Sequence, residues 1–163
     1  MIVVADAGPL IHLAAIGRLD VVANAGDVLI PPAVFHEIVV QGAGLPGSRE
    51  VKDAAWITVG TPTRTDLLDA LLAGGLHRGE AEAMTLAVER SADVLLMDER
   101  QGRLTAEAMG IHVIGTIGWV VAARRRGDLA AVAPVLAELR NSGLWLSDGL
   151  VNQVLAAVGE ASG

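Results

Sequence analysis

Two kinds of apolar pattern alternate along the chain. Short runs rich in β-branched residues, at 2–5, 28–30, 56–59, 93–97 and 111–114, have the length and composition of strands. Between them, apolar residues recur every three to four positions, as on one face of a helix, over 9–16, 18–24, 32–40, 65–73, 78–91, 99–109 and 116–126. Two further helical segments, 130–141 and 147–158, close the chain. Strands and helices taken in turn predict βαβ units and a central, mainly parallel sheet covered by helices on both faces, an α/β fold of three layers, α/β/α.

Several boundaries carry physical markers. Pro31-Pro32 suits the first turn of a helix, where a missing N–H costs nothing. Gly110 follows the 99–109 segment where a left-handed residue is expected, and Ser147 stands as an N-cap before the last helix. Gln41 to Ser48, with three glycines and a proline, reads as a flexible loop. A length of 163 residues has room for one domain with a proper core, so a single domain over 1–163 is expected, with the helices of about 130–158 packed on it.

Composition narrows the chemistry. Half the residues are apolar but only one is Phe and none is Tyr, so the core must be built from Ala, Val, Leu and Ile. The absence of cysteine excludes disulfides and thiolate-ligated metals. No stretch approaches the roughly 20 apolar residues of a membrane span, and nothing after Met1 reads as a signal peptide, so a cytoplasmic protein without membrane contact is expected. A net charge of −7 argues against a protein that coats nucleic acid by bulk electrostatics, but not against an enzyme acting on RNA.

Four carboxylates stand where solvation does not account for them. Asp6 and Asp98 follow strand runs, and in an open parallel sheet chemistry gathers at the C-terminal strand ends. Either alone would also serve as a helix cap. Glu80 shares a helical face with Ala83, Met84 and Ala87, and a carboxylate buried there needs a counter-charge. Glu37 shares a face with Val34 and Ile38 in the same way. Glu82, about 200° around the helix from Glu80, and Glu89, one heptad on from Glu82, read as a solvated face. Oxygen ligands of this kind suit Mg²⁺ or Mn²⁺.

Other signals fail on context. Gly42-Ala43-Gly44-Leu45-Pro46-Gly47 satisfies G-x-G-x-x-G, but it follows a helical segment rather than a strand. His36-Glu37 lacks the second histidine of H-E-x-x-H, since Val40 occupies its place. No P-loop is present, and Lys52, the sole lysine, comes too early for a receiver or aspartyl-phosphatase site.

The stretches Asp6-Ala7-Gly8-Pro9-Leu10-Ile11, Pro31 to Ile38, Gly79-Glu80-Ala81-Glu82-Ala83-Met84 and Leu96-Met97-Asp98-Glu99-Arg100 resemble the successive motifs of PIN domains, closest to the prokaryotic subgroup related to VapC toxins. Gly102-Arg103 and Gly115-Thr116-Ile117-Gly118 look like that subgroup's later signature, and the likeness runs from residue 2 to about 158. The resemblance implies a PIN-like fold and an acidic site of Asp6, Glu37, Glu80 and Asp98, with Glu80 where many members have Asp. It further implies a Mg²⁺- or Mn²⁺-dependent endoribonuclease leaving 3′-hydroxyl and 5′-phosphate ends, commonly a homodimer and in toxin systems paired with an antitoxin protein. Arg100 and Arg103, just after Asp98, suit either RNA phosphates or a solvated surface, and Thr116, at a helix start, either a phosphate contact or a cap. Arg124-Arg125-Arg126 suits either RNA contact or the C-terminal dipole of its helix. The alternative function is a PIN-fold module that binds RNA or protein with little or no cleavage.

Overall fold

The computed structural model describes residues 1–160; residues 161–163 of the expected domain lie outside the described residues. Five strands, β1 (Ile2–Ala5), β2 (Asp27–Ile30), β3 (Ile57–Val59), β4 (Val94–Leu96) and β5 (Val113–Ile114), form one sheet in the order β3-β2-β1-β4-β5. All the ladders are parallel, and Val4 pairs with Leu29 on one side and Leu95 on the other. The strand order turns around between β1 and β4, so their C-terminal ends open on the topological switch point of the sheet.

Because side chains alternate along a strand, the sheet buries both faces. Val3, Ala5, Val28, Ile30 and Leu96 face a core shared with α1 (Ala7–Ala15), α2 (Asp20–Ala23), α8 (Thr116–Arg126), α9 (Ala133–Asn141) and α10 (Asp148–Ala157). Val4, Leu29 and Leu95 face a second core shared with α5 (Thr65–Ala73), α6 (Arg78–Glu89) and α7 (Arg100–Ala108). This is the expected three-layer α/β/α arrangement. Among the described residues no helix is long and apolar enough to cross a membrane.

Three expectations change. The helix read over 32–40 is a four-residue α3 (Pro32–Phe35) that runs into a π-helical segment, His36–Gln41, in which the Gly42 N–H donates to the Glu37 carbonyl at 2.9 Å. Val34 and Ile38 are in the core, whereas Glu37, expected on the same buried face, is exposed. Next, the loop after it leads into an unforeseen helix, α4 (Ser48–Asp53), whose start is fixed by the Gly47 N–H donating to Glu50 Oε2 at 3.0 Å. Only Ser48 and Val51 of α4 are buried, so the segment carries no apolar period to read.

Finally, Glu82 and Glu89 are not a solvated face. Glu82 is 7% exposed and its Oε2 accepts the Ala33 N–H at the start of α3 at 2.8 Å. Glu89 Oε1 accepts the Thr63 N–H at 2.7 Å and also the Arg64 N–H, just ahead of α5. Each carboxylate satisfies orphan N–H groups at the start of a neighbouring helix.

The closing helices are tied to the sheet by α8. Trp119, 1% exposed, donates from Nε1 to the Val21 carbonyl at 3.0 Å, with the Arg126 guanidinium 4.9 Å from the ring centroid. From α9 and α10, Val135, Leu136, Leu139 and Leu155 join the same core, while Leu150 is exposed. Trp119→Ala is expected to lower unfolding stability by about 3–5 kcal/mol, read from urea denaturation. A loss under about 1 kcal/mol would show that Trp119 does not hold this layer.

Candidate metal centre

The two central strands deliver the first pair of carboxylates. The Asp6 N–H donates to the Leu96 carbonyl at 2.9 Å and the Met97 N–H to the Ile114 carbonyl at 2.9 Å, so the ladders continue past β1 and β4 to the aspartates. Asp6 is the N-cap residue of α1 but makes no side-chain cap bond. Asp98 does not cap the helix that follows it either. Glu99 does so, accepting the Gly102 N–H at 2.7 Å. Asp98 instead reaches across to α8: its Oδ1 accepts the Thr116 N–H at 2.7 Å and its Oδ2 accepts the Thr116 hydroxyl at 2.6 Å. Both donors of Thr116 are therefore engaged with Asp98 rather than open to a phosphate.

Helices bring the second pair. Asp6 Oδ1 and Glu37 Oε2 each lie 3.6 Å from the point where a Cβ on Gly79 would stand, so the exposed Glu37 and the buried Asp6 flank the same glycine. Glu80, in the first turn of α6, is 7% exposed. Asp6, Glu37, Glu80 and His77 line one cleft of about 120 Å³. Asp98, Arg100 and Arg103 line a neighbouring one of about 210 Å³. A larger concavity, about 600 Å³, lies elsewhere, at the end of α1 beside Arg18, Glu50 and Glu138. Size therefore does not mark the chemistry here; the carboxylates do.

Electrostatics single out Asp6 and Glu80. Burial, followed by the charges of Glu80, Glu37 and Asp98, pushes the Asp6 pKa from 3.8 up to about 7, against a smaller opposing effect of the Ala7 amide. Burial, then the charge of Glu99, raises that of Glu80. Among the described residues neither carboxylate forms an ion pair with a basic side chain. This all-oxygen, uncompensated donor set fits a hard divalent cation by chemistry and by charge. No three His, Asp or Glu side chains among the described residues stand in a group that could ligate one ion as they are placed.

Three neighbours escaped the sequence reading. His77, exposed at the N-cap of α6, lines the cleft, and His12 Nε2 lies 3.8 Å from Asp98 Oδ2. Glu99 Oε2 and Glu80 Oε2 approach the same point beside Gly102, at 3.4 and 3.5 Å from its absent Cβ. The arginine run stands apart from all this. It ends the 11-residue α8 that Thr116 begins, about 15 Å along the axis at 1.5 Å per residue. Arg126 pairs with Asp128 at 3.0 Å and stacks on Trp119, while Arg124 faces Glu160 at 3.8 Å. Two of the three are thus engaged within the chain.

The raised Asp6 pKa fixes a direction for stability. The unfolded chain releases this proton near 3.8 and the folded chain near 7, so stability falls as pH rises across that window and is then level. Asp6→Asn removes the penalty. Without divalent cations the variant is expected to be the more stable, by a margin that opens above about pH 4 and reaches roughly 4 kcal/mol above pH 7. Denaturation curves at pH 5 and pH 8 with equal margins would contradict this.

The family model described as DUF3368, PIN domain, matches residues 2–160. A search of the curated proteins finds no match. PIN domains are generally nucleases, and the match takes in the strand ends and helices that carry the acidic clefts. The chain belongs to the DUF3368 family of PIN domains.

Proposed function

We propose that this PIN domain is a metal-dependent endoribonuclease that hydrolyses RNA phosphodiester bonds with a Mg²⁺ or Mn²⁺ ion held by Asp6, Glu37, Glu80 and Asp98. The reading rests on one observation: Asp6, Glu37 and Glu80 line one cleft at the switch point of the sheet beside that of Asp98, and Asp6 and Glu80 are buried with no basic partner among the described residues. Taking such charge out of water costs several kcal/mol unless a cation offsets it. Bound there, the ion polarises the phosphoryl oxygen and lowers the pKa of a water for in-line attack.

The chain's own groups do the rest. Thr116 is a positioning residue whose N–H and hydroxyl hold Asp98 in one orientation. The β1–β4 ladder fixes Asp6 through its backbone. Glu37 and Glu80, lining the same cleft as Asp6, would supply the remaining oxygens to the ion. Arg100 and Arg103, beside Asp98, take phosphates flanking the scissile one, where a guanidinium can bind bidentately. The VapC-like toxin role, with a cognate antitoxin and a homodimeric, cytoplasmic form, follows from the motif resemblance and belongs to the same proposal, as does a single domain over the whole chain. Light scattering should then give twice the 16.8 kDa of one chain.

A second reading, a PIN-fold module that binds RNA or protein with little cleavage, draws on the spacing of the carboxylates, no three of which form a ready ligand group among the described residues. The ends of the RNA separate the two. With Mn²⁺ or Mg²⁺ the purified protein should produce 3′-hydroxyl and 5′-phosphate ends, and with chelator none. Asp6→Asn or Glu80→Gln should lower the rate at least about a hundredfold, the order found on losing a transition-state charge partner. Asp66→Asn, exposed and remote, is the control. Intact RNA with every divalent ion tried would leave the binding module.

Arg103→Gln should weaken RNA binding in Ca²⁺, which holds cleavage back, and flatten its dependence on salt by about one counterion. An unchanged salt slope would remove Arg103 from the RNA surface.

A further inference from the structure

Glu82 lies on α6 two residues past Glu80 but serves the opposite side of that helix. Its carboxylate is bound to α3, where the helix has an unusual need. Pro31 occupies the N-cap and has no side chain able to cap, and Pro32 has no N–H. The Val34 and Phe35 N–H groups both donate to the Pro31 carbonyl at 3.1 Å. That leaves the Ala33 N–H as the one orphan donor of the first turn, and Glu82 Oε2 accepts it at 2.8 Å. The other oxygen of Glu82 lies 3.6 Å from Arg78 Nε, on a side chain 63% exposed, a pair that adds little hold.

The consequence falls on Glu37. A four-residue helix has no stability of its own, so tertiary contacts decide where α3 and the π-helical segment after it sit. Glu37 leaves that segment exposed to solvent, so burial does not position its side chain; the helix does. The same α6 thus carries Glu80 directly and sets Glu37 through Glu82. We propose that Glu82 is a positioning residue that holds Glu37 against Asp6 and Glu80 by capping α3, and so raises divalent-cation affinity without ligating the ion. The inference rests on the metal site proposed above.

Two substitutions separate reach from charge. Glu82→Gln keeps an acceptor oxygen at the same reach and loses the charge, whereas Glu82→Asp keeps the charge and draws the oxygen back by one methylene. Calorimetric titration of the metal-free protein with Mn²⁺ should give Glu82→Gln an affinity within about threefold of the natural chain, and Glu82→Asp one weaker by about tenfold or more, the order found for residues that orient metal ligands. In a Glu37→Gln background, Glu82→Asp should cost nothing further, because the residue it positions is no longer a charged ligand. The reverse order, Gln weaker than Asp, or full additivity with Glu37→Gln, would overturn the proposal. Hydrogen exchange without metal gives an independent check: the amides of Ala33 to Gln41 should exchange faster in Glu82→Asp, with α5 and α7 unchanged. Uptake of no Mn²⁺ by the natural chain would defeat the proposed function itself; the positioning of the segment by Glu82 would then be decided by exchange alone, and unchanged protection would reject it.

Discussion

The site depends on one pairing, that of β1 with β4. These strands are far apart in sequence and adjacent in the sheet, and the bond from the Asp6 N–H to the Leu96 carbonyl carries their ladder one residue past β1. The extension fixes the backbone from which Asp6 projects and sets Asp98, two residues beyond β4, beside it. Because both strands are buried on both faces, a slip of one residue would exchange the two cores, Val3 and Ala5 for Val4. Packing on both sides of the sheet therefore guards the register on which the two aspartates meet.

The acidity of the chain has two sources, which the structure separates. Glu50, Glu82, Glu89, Glu99 and Glu160 accept backbone N–H groups at helix starts, and Asp98 does the same for Thr116. In a molecule of short helices such bonds answer much of the unmet donor capacity, and a negative charge at a helix start is also favourable. Asp6 and Glu80 also face backbone amides at helix starts, those of Ala7 and His77, but burial outweighs these and holds both pKa values up. What distinguishes these two site carboxylates is thus burial in excess of their hydrogen bonding, and Asp98 stands apart, held by α8 yet next to the cleft.

Most of this was legible in the sequence where a period or a strand end carried the signal. The strands, the three layers and the meeting of Asp6 with Asp98 follow from apolar runs, two of which, 2–5 and 93–97, end at an aspartate. Burial of Glu80 follows from its apolar helical neighbours. Glu82 defeated the same reasoning because its partner, the Ala33 N–H, lies 49 positions away on another element, and no period along α6 reports it. Glu37 shares a turn with Val34 and Ile38 but stands exposed at the rim of the cleft, and no residue type in His36–Gln41 announces that or the π-helical turn. α4 was missed because a short helix with two buried residues has no pattern to show.

Two glycines complete the geometry by what they leave out. A Cβ on Gly115 would come within 2.9 Å of Asp98 Oδ1 and 3.0 Å of Arg103 Nη1, and one on Gly102 within 2.6 Å of Met97 Sδ. Contacts that close force a shift of the neighbour, and here the neighbours are the Asp98 carboxylate, the guanidinium beside it and the residue that leads into Asp98. Bare backbone at both positions lets the starts of α7 and α8 approach the end of β4 closely enough for Thr116 to grip Asp98 with two hydrogen bonds and for Arg103 to stand alongside without pairing with it. The resemblance marked Gly102-Arg103 and Gly115-Thr116 as one signature. Their shared physical reason is room: each pairs a residue beside Asp98 with a glycine that keeps the approach open.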